Sequence, residues 1–288
     1  MSPGLLGYEY FHESTLAPEE PISRVIANAL ASTGVDPEKV DMLLVASADV
    51  NFLADRQFLP RLMDRCGLSA ALPLTITSQE CTSLLSAINL AGTYLRSRSY
   101  GNILVVSYDR VEADARRIQS FGVLSDAASA CLVSSPHEGS EFRTRGFSQG
   151  SDLRGMRGED DFSSRKVLSN RVTGDVLAQG GVSLAQVRKV FATNFFRPVA
   201  RYNASALALA ERQLYLDRAP EIGHCLCADP LINFSLFQGS DPAWQVGDLY
   251  LLQAYAPGIM ASLLVERVAE PVCGKDSPRA QDVVVQSW

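Results

Sequence analysis

Residues 34–47 read GVDPEKVDMLLVAS, and residues 181–194 read GVSLAQVRKVFATN. Both begin with Gly-Val, run through four variable residues to a second valine, and end in an apolar run of strand length. Two further pairs follow in the same order: GNILVV at 101–106 against GDLYLL at 247–252, and ACLV at 130–133 against SLLV at 262–265. The first two pairs are offset by 147 and 146 residues. Self-similarity at a nearly constant offset marks a repeated unit.

The neighbouring patterns say what that unit is. Glu19, Glu20 and Pro21 open a helix whose apolar residues Ile22, Val25, Ile26, Ala29 and Leu30 recur at helical spacing, and Gly34 ends it. MLLVAS follows as a buried strand, then a helix over 54–66 and a short strand over 73–77. A third helix spans 82–98, with Leu84, Ile88, Ala91 and Leu95 on one face. NILVVSY and AASACLV are apolar throughout, as strands covered on both faces must be. In the second half KVFAT reads as a strand, 199–212 as a helix, and 248–255 and 259–267 as two closing strands. Residues 146–180, rich in Gly, Ser, Asp and Arg, read as an irregular connection or cap. The expected organisation is an N-terminal half over 1–145 and a C-terminal half over 181–288. Alternating strands and helices imply α/β architecture with helices on the sheet faces. Two copies face to face make an α/β/α/β/α sandwich whose pseudo-twofold axis gathers equivalent loops at the centre.

Bulk properties narrow the function. The formal net charge is −6, which argues against a nucleic-acid or membrane-surface partner, since either requires a basic face. No stretch approaches the roughly 18 apolar residues of a membrane span, and the N-terminus lacks the pattern of a signal peptide. The six cysteines show no framework spacing, which fits free thiols and a cytoplasmic location.

Cys81, in SQECTSLLSAINLAG, stands at the start of a helix, where unsatisfied N–H groups and the helix dipole favour a thiolate; an ordinary buried core cysteine fits the position equally well. The loop bearing His224, in EIGHCLCADP, mirrors the loop of Cys81 by the duplication. The chain has only two other histidines: His12 near the N-terminus and His137 in a polar turn. Asp229 is placed to accept the second ring N–H. Thiol, imidazole and carboxylate form a nucleophile–base–orienter set. His224, Cys225, Cys227 and Asp229 do not match the usual spacing of zinc ligands, so no metal is expected. Gly258, between two apolar strands, suits a tight hairpin and also a backbone N–H in an oxyanion hole beside that of Cys81.

ECTSLLSAINLAGTYLRSRSYGNILVVSYD, FGVLSDAASACLVSS and VGDLYLLQAYAPGIMASLLVE resemble, in order, three segments of the ketoacyl-ACP synthase III family. These are its active-cysteine helix with the following strand, its FGDGAGA-type strand pair, and its closing hairpin. The resemblance implies a thiolase-like duplicated fold, a cytoplasmic dimer, and an acyl-thioester on Cys81. Condensing members of the family use Cys, His and Asn. Here Asn194 stands at the position of their His, and His224 at that of their Asn. That exchange is similar to a divergent branch from polyketide pathways, and implies a Cys81–His224–Asp229 triad with Asn194 nearby.

The activity implied is transfer of an acyl group from acyl-CoA or an acyl carrier protein, through Cys81, to an O, N or S acceptor. CoA or phosphopantetheine thioesters are then substrates, and no resident cofactor is expected. Decarboxylative condensation, or a non-catalytic role beside an active paralogue, are the alternatives. Family members begin with a strand and helix ahead of the point where this chain starts. The resemblance therefore implies a missing inner strand and an exposed sheet edge: the piece is dispensable, the true start codon lies earlier, or another chain covers the edge. A homodimer, or a heterodimer with a paralogue, is expected from the family and from the apolar NILVVSY strand. Arg197 and Arg201, one turn apart, are candidates for docking an acidic carrier protein, and Arg110, Arg116 and Arg117 form a second basic stretch.

Overall fold

The computed structural model describes residues 7–268, apart from 50, 98, 136–139, 160 and 241–242. The expected turn at His137 lies outside these residues.

The first half runs α1 (Glu19–Thr33), β1 (Met42–Ala46), α2 (Phe58–Cys66), β2 (Leu72–Ile76), α3 (Ser83–Arg96), β3 (Asn102–Asp109) and β4 (Ala127–Ser134). Its sheet has the order β2-β1-β3-β4. β1 is parallel to both neighbours and β4 is antiparallel to β3. The second half runs β5 (Phe142–Ser151), α4 (Leu153–Met156), α5 (Phe162–Gly180), β6 (Val187–Phe191), α6 (Arg197–Ala206), α7 (Ala219–Ile222), α8 (Asp229–Ser240), β7 (Leu249–Ala256) and β8 (Ile259–Arg267). Its sheet has the order β5-β8-β7-β6.

The repeat read from sequence is a repeat of structure. A 3₁₀ turn at Glu80–Thr82 leads into α3 at Ser83, and another at Leu226–Ala228 leads into α8 at Asp229. Both steps are 146 residues apart. Glu80 and Leu226, the equivalent non-glycine residues, share left-handed backbone at φ +48° and +54°. One parallel bridge, Val190 to Leu214, stands on β6 where the whole of β2 stands on β1.

Burial explains the layering. β1 and β3 are buried on both faces. Leu43, Val45, Leu104 and Val106 pack outward against α1 and α2. Leu44, Ile103 and Val105 pack inward with Leu84, Leu85, Ile88 and Leu95 of α3, Phe234 and Phe237 of α8, and Leu252 and Leu263 of the second sheet. α3 and α8 thus form a central layer between the sheets. α5 covers the outer face of the second sheet through Leu168, Val172 and Val176. The result is the five-layered α/β/α/β/α sandwich.

Three expectations are corrected. Residues 146–180 are not irregular: most of β5 and the 19-residue α5 lie there. The glycines that suggested a loop are close-packing positions. A Cβ on Gly146 would lie 2.9 Å from the Val176 carbonyl oxygen, and one on Gly150 3.0 Å from Leu168 Cδ1. The helix expected over 199–212 is α6, which begins at Arg197 and stops at Ala206, shortly before Ala208 turns to φ +54°. α8 was not anticipated; enclosed in the central layer, it is apolar round most of its circumference and shows little sided pattern. The sheet position implied to be missing is also an edge one. Among the described residues no strand flanks the outer side of β4, whereas its twin β8 carries β5 there.

Candidate active site

Cys81 sits in the 3₁₀ turn ahead of α3 and is 7% exposed. Ser78 and Glu80 beside it have φ of +63° and +48°. Non-glycine residues in left-handed backbone cost energy that the surrounding packing must offset, and such positions concentrate at functional turns. The twist presents Sγ to the opposite half, where His224 Nε2 lies 3.7 Å away.

His224 is fixed through its backbone. Its N–H donates to the Val123 carbonyl at 2.8 Å, and its carbonyl accepts from Ser125 N–H at 2.8 Å. This is a strand-like seam between the halves. Gly223, at φ +71°, permits the approach, since a Cβ there would fall 2.5 Å from Ser125 Oγ. The ring Nδ1 is 2.5 Å from Asp229 Oδ2. Asp229 is fully buried at the first residue of α8. Its carboxylate accepts Cys225 N–H at 2.7 Å and Asn194 N–H at 2.8 Å. With Nδ1–H directed at Asp229, ring orientation is set and Nε2 is aimed at the thiol.

Burial disfavours the charged ring, but the Asp229 carboxylate, its hydrogen bond and the contact with Cys81 outweigh this and push His224 up to about 10. Burial pushes the Cys81 thiol up, and the neighbouring imidazole opposes that rise. Both groups therefore hold their protons more tightly than the free side chains do, and His224 is the neighbour that favours the Cys81 anion.

Asn194 joins the constellation as support. Its Nδ2 donates to the Gly223 carbonyl at 2.8 Å, and its Oδ1 accepts from Asn233 Nδ2 at 2.8 Å. Its side chain thus fastens the His224 loop. Sequence reasoning missed three neighbours. Asn233 is one; Tyr8, whose hydroxyl donates to the Asn194 carbonyl at 2.5 Å, is another. The third is the aromatic wall of Phe121 and Phe195, whose rings lie 5.8 and 6.2 Å from the His224 ring and 5.9 Å from each other. Only the FG pair at 121–122 carried a signal: a Cβ on Gly122 would meet Asn194 O at 3.4 Å and His224 Cβ at 3.5 Å.

Gly258 stands in the turn between β7 and β8. It has φ +65°, and a Cβ there would lie 2.2 Å from Met156 N and 2.4 Å from Asp152 O. Its carbonyl accepts from Asp152 N–H. These contacts are with the α4 segment and not with the triad. Arg197 and Arg201 are exposed on α6, and Arg201 pairs with Glu211 at 2.8 Å. Arg117, by contrast, is buried in an ion pair with Asp126 at 3.0 Å, so that basic stretch is not a continuous surface. The thiols of Cys225 and Cys227 donate to the carbonyls of Ile222 and Glu80, at 3.4 and 3.1 Å.

Residues 77–152 match the 3-oxoacyl-[acyl-carrier-protein] synthase III family. Solved structures share the fold over nearly the whole chain. ChlB3, described as an acyltransferase, superposes with a TM-score of 0.83 at 17% identity, covering 93% of this chain and 90% of its own. In fold the chain is synthase III-like. The 3-oxoacyl-ACP synthase III of Pseudomonas aeruginosa PAO1 gives 0.78 at 17% identity, over 94% and 91% of the two chains. A single-residue variant of OleA from Xanthomonas campestris gives 0.76 at 13% identity, over 91% and 85%. No curated protein sequence matches. At these identities the likeness is one of fold. The family match includes Cys81 and ends before His224 and Asp229, so the base half of the site rests on its own geometry. No helix among the described residues is long and apolar enough to cross a membrane.

Proposed function

We propose that the protein is an acyltransferase that loads an acyl group from acyl-CoA or an acyl carrier protein onto Cys81 and passes it to a hydroxyl, amine or thiol. The carrying observation is the Cys81–His224–Asp229 line, 3.7 Å from Sγ to Nε2 and 2.5 Å from Nδ1 to Oδ2.

The steps follow from that line. The Cys81 thiolate attacks the thioester carbonyl, with the Cys81 N–H as an oxyanion donor. The carbon–sulfur bond to the carrier breaks, and the departing thiolate takes the proton of the His224 imidazolium. Neutral His224, held by Asp229, then removes the proton of the acceptor. The acceptor attacks acyl-Cys81, releasing the ester, amide or thioester and restoring thiolate and imidazolium.

Condensation of a malonyl thioester is the competing reading. It calls for side-chain donors free to stabilise an enolate, and the Asn194 amide is already bonded to Gly223 and Asn233. The test is a chase of isolated acyl-enzyme with hydroxyl, amine and thiol acceptors, and separately with malonyl-CoA. Transfer to an acceptor without release of carbon dioxide is expected. Carbon dioxide release with a lengthened acyl product would establish condensation instead.

A further inference from the structure

Asp109 ends β3 and is completely buried. Its Oδ1 accepts Ser47 Oγ–H at 2.8 Å and Ala48 N–H at 2.7 Å, just beyond β1. Its Oδ2 accepts the N–H of Cys227 at 3.0 Å, inside the turn that separates His224 from Asp229. Cys227 in turn directs its thiol to the carbonyl of Glu80, the residue before Cys81. One carboxylate therefore connects the first sheet to the turn of the base, and that turn leans on the turn of the nucleophile. Burial pushes this carboxyl up, and the donors around it act in the opposite direction.

The duplication supplies an internal control. By strand register, where Val45 beside Val106 repeats as Phe191 beside Leu252, Ser47 and Asp109 correspond at an offset of 146 to Thr193 and Tyr255, one residue from the pairing of the sequence repeat. In the second half Thr193 Oγ1 accepts the N–H of Tyr255 at 2.9 Å. The twin thus joins the same two strand ends with a hydroxyl and a backbone amide. The fold does not require a carboxylate at this place, and burying one is unfavourable unless its hydrogen bonds are nearly complete. The carboxyl group occurs only in the half that carries the nucleophile, where its third contact reaches across to the turn of the base.

We propose that Asp109 is a positioning residue for acyl transfer, holding the turn between His224 and Asp229 in register with the turn of Cys81. The proposal rests on the acyltransferase reading for its chemistry and on the hydrogen bonds above for its geometry. Asparagine at this position keeps the size but turns an N–H donor toward either Cys227 N–H or the Ser47 and Ala48 donors, so one contact becomes donor against donor.

The test compares wild type with Asp109→Asn, confirmed folded by circular dichroism, in the rate of Cys81 acylation by acetyl-, butyryl- and benzoyl-CoA. Small misplacements of catalytic groups carry large rate penalties, so the rate constant is expected to fall about tenfold or more. The half-saturating thioester concentration should stay within about twofold, because Asp109 contacts no substrate group. An unchanged rate constant in the folded variant overturns the proposal. Ser47→Ala, which removes one donor and keeps the charge, should show the same split at about threefold. It serves where Asp109→Asn does not fold, and no change there equally overturns the idea. Alkylation of Cys81 by iodoacetamide needs no acyl substrate and so separates this proposal from the acyltransferase reading. Its pH profile should shift by about half a unit or more in Asp109→Asn, even if wild type accepts no acyl group; an unshifted profile contradicts the coupling.

Discussion

Cys81, His224 and Asp229 are legible as a set in the sequence because the duplication places two of their loops opposite each other. Asn194 is legible as a position but not as a role. Its partners are the Gly223 carbonyl and Asn233, 29 and 39 residues away in the chain, and no local pattern encodes such pairings. Tyr8 is invisible for the same reason, since it acts on a backbone carbonyl 186 residues away. At this scale the electrostatics yield a direct expectation. The folded pKa of His224 is raised from 6.5 to about 10. Its contribution to stability is therefore complete below pH 6.5 and is lost as pH rises toward 10. Imidazole nitrogen-15 NMR should show the His224 ring still protonated at about pH 8 in wild type, and titrating at lower pH in Asp229→Asn. A neutral ring at that pH in wild type would refute the pairing.

Among the elements, strands and the first-half helices follow from periodicity, whereas β5, α5 and α8 do not. β5 is polar because much of one side faces out, and its glycines serve the contact with α5. Composition alone does not separate that use of glycine from a loop. The seam at Gly223 offers a test of the opposite case, where glycine is needed for conformation as well as space. Gly223→Ala places a Cβ at φ +71° and 2.5 Å from Ser125 Oγ. It should destabilise the protein by about 1–3 kcal/mol and slow acylation, measured by urea unfolding and by adduct formation. Gly174 on α5, where an added Cβ meets nothing within 4 Å beyond its own helix, is the control. Gly174→Ala should be neutral or stabilising by up to about 1 kcal/mol.

For the whole molecule, the duplication explains why the chemistry lies between the sheets. Each half contributes one strained turn and one central helix, and neither half holds a complete set of groups. α6, which follows the Asn194 loop, carries Arg197 and Arg201 on its outer side. Reversing both charges, Arg197→Glu with Arg201→Glu, should slow loading from an acidic carrier protein about tenfold while sparing acyl-CoA, since long-range attraction acts mainly on association. Equal loss with both donors would show that these arginines do not guide docking.

The central claim is that Cys81 carries the acyl group. Its most direct test is the intact mass of wild type and Cys81→Ala after brief exposure to a panel of acyl-CoA and acyl-carrier thioesters. A mass increase equal to one acyl group, on wild type alone, is the expected result. An adduct that persists in Cys81→Ala, or no adduct from any donor, would contradict it.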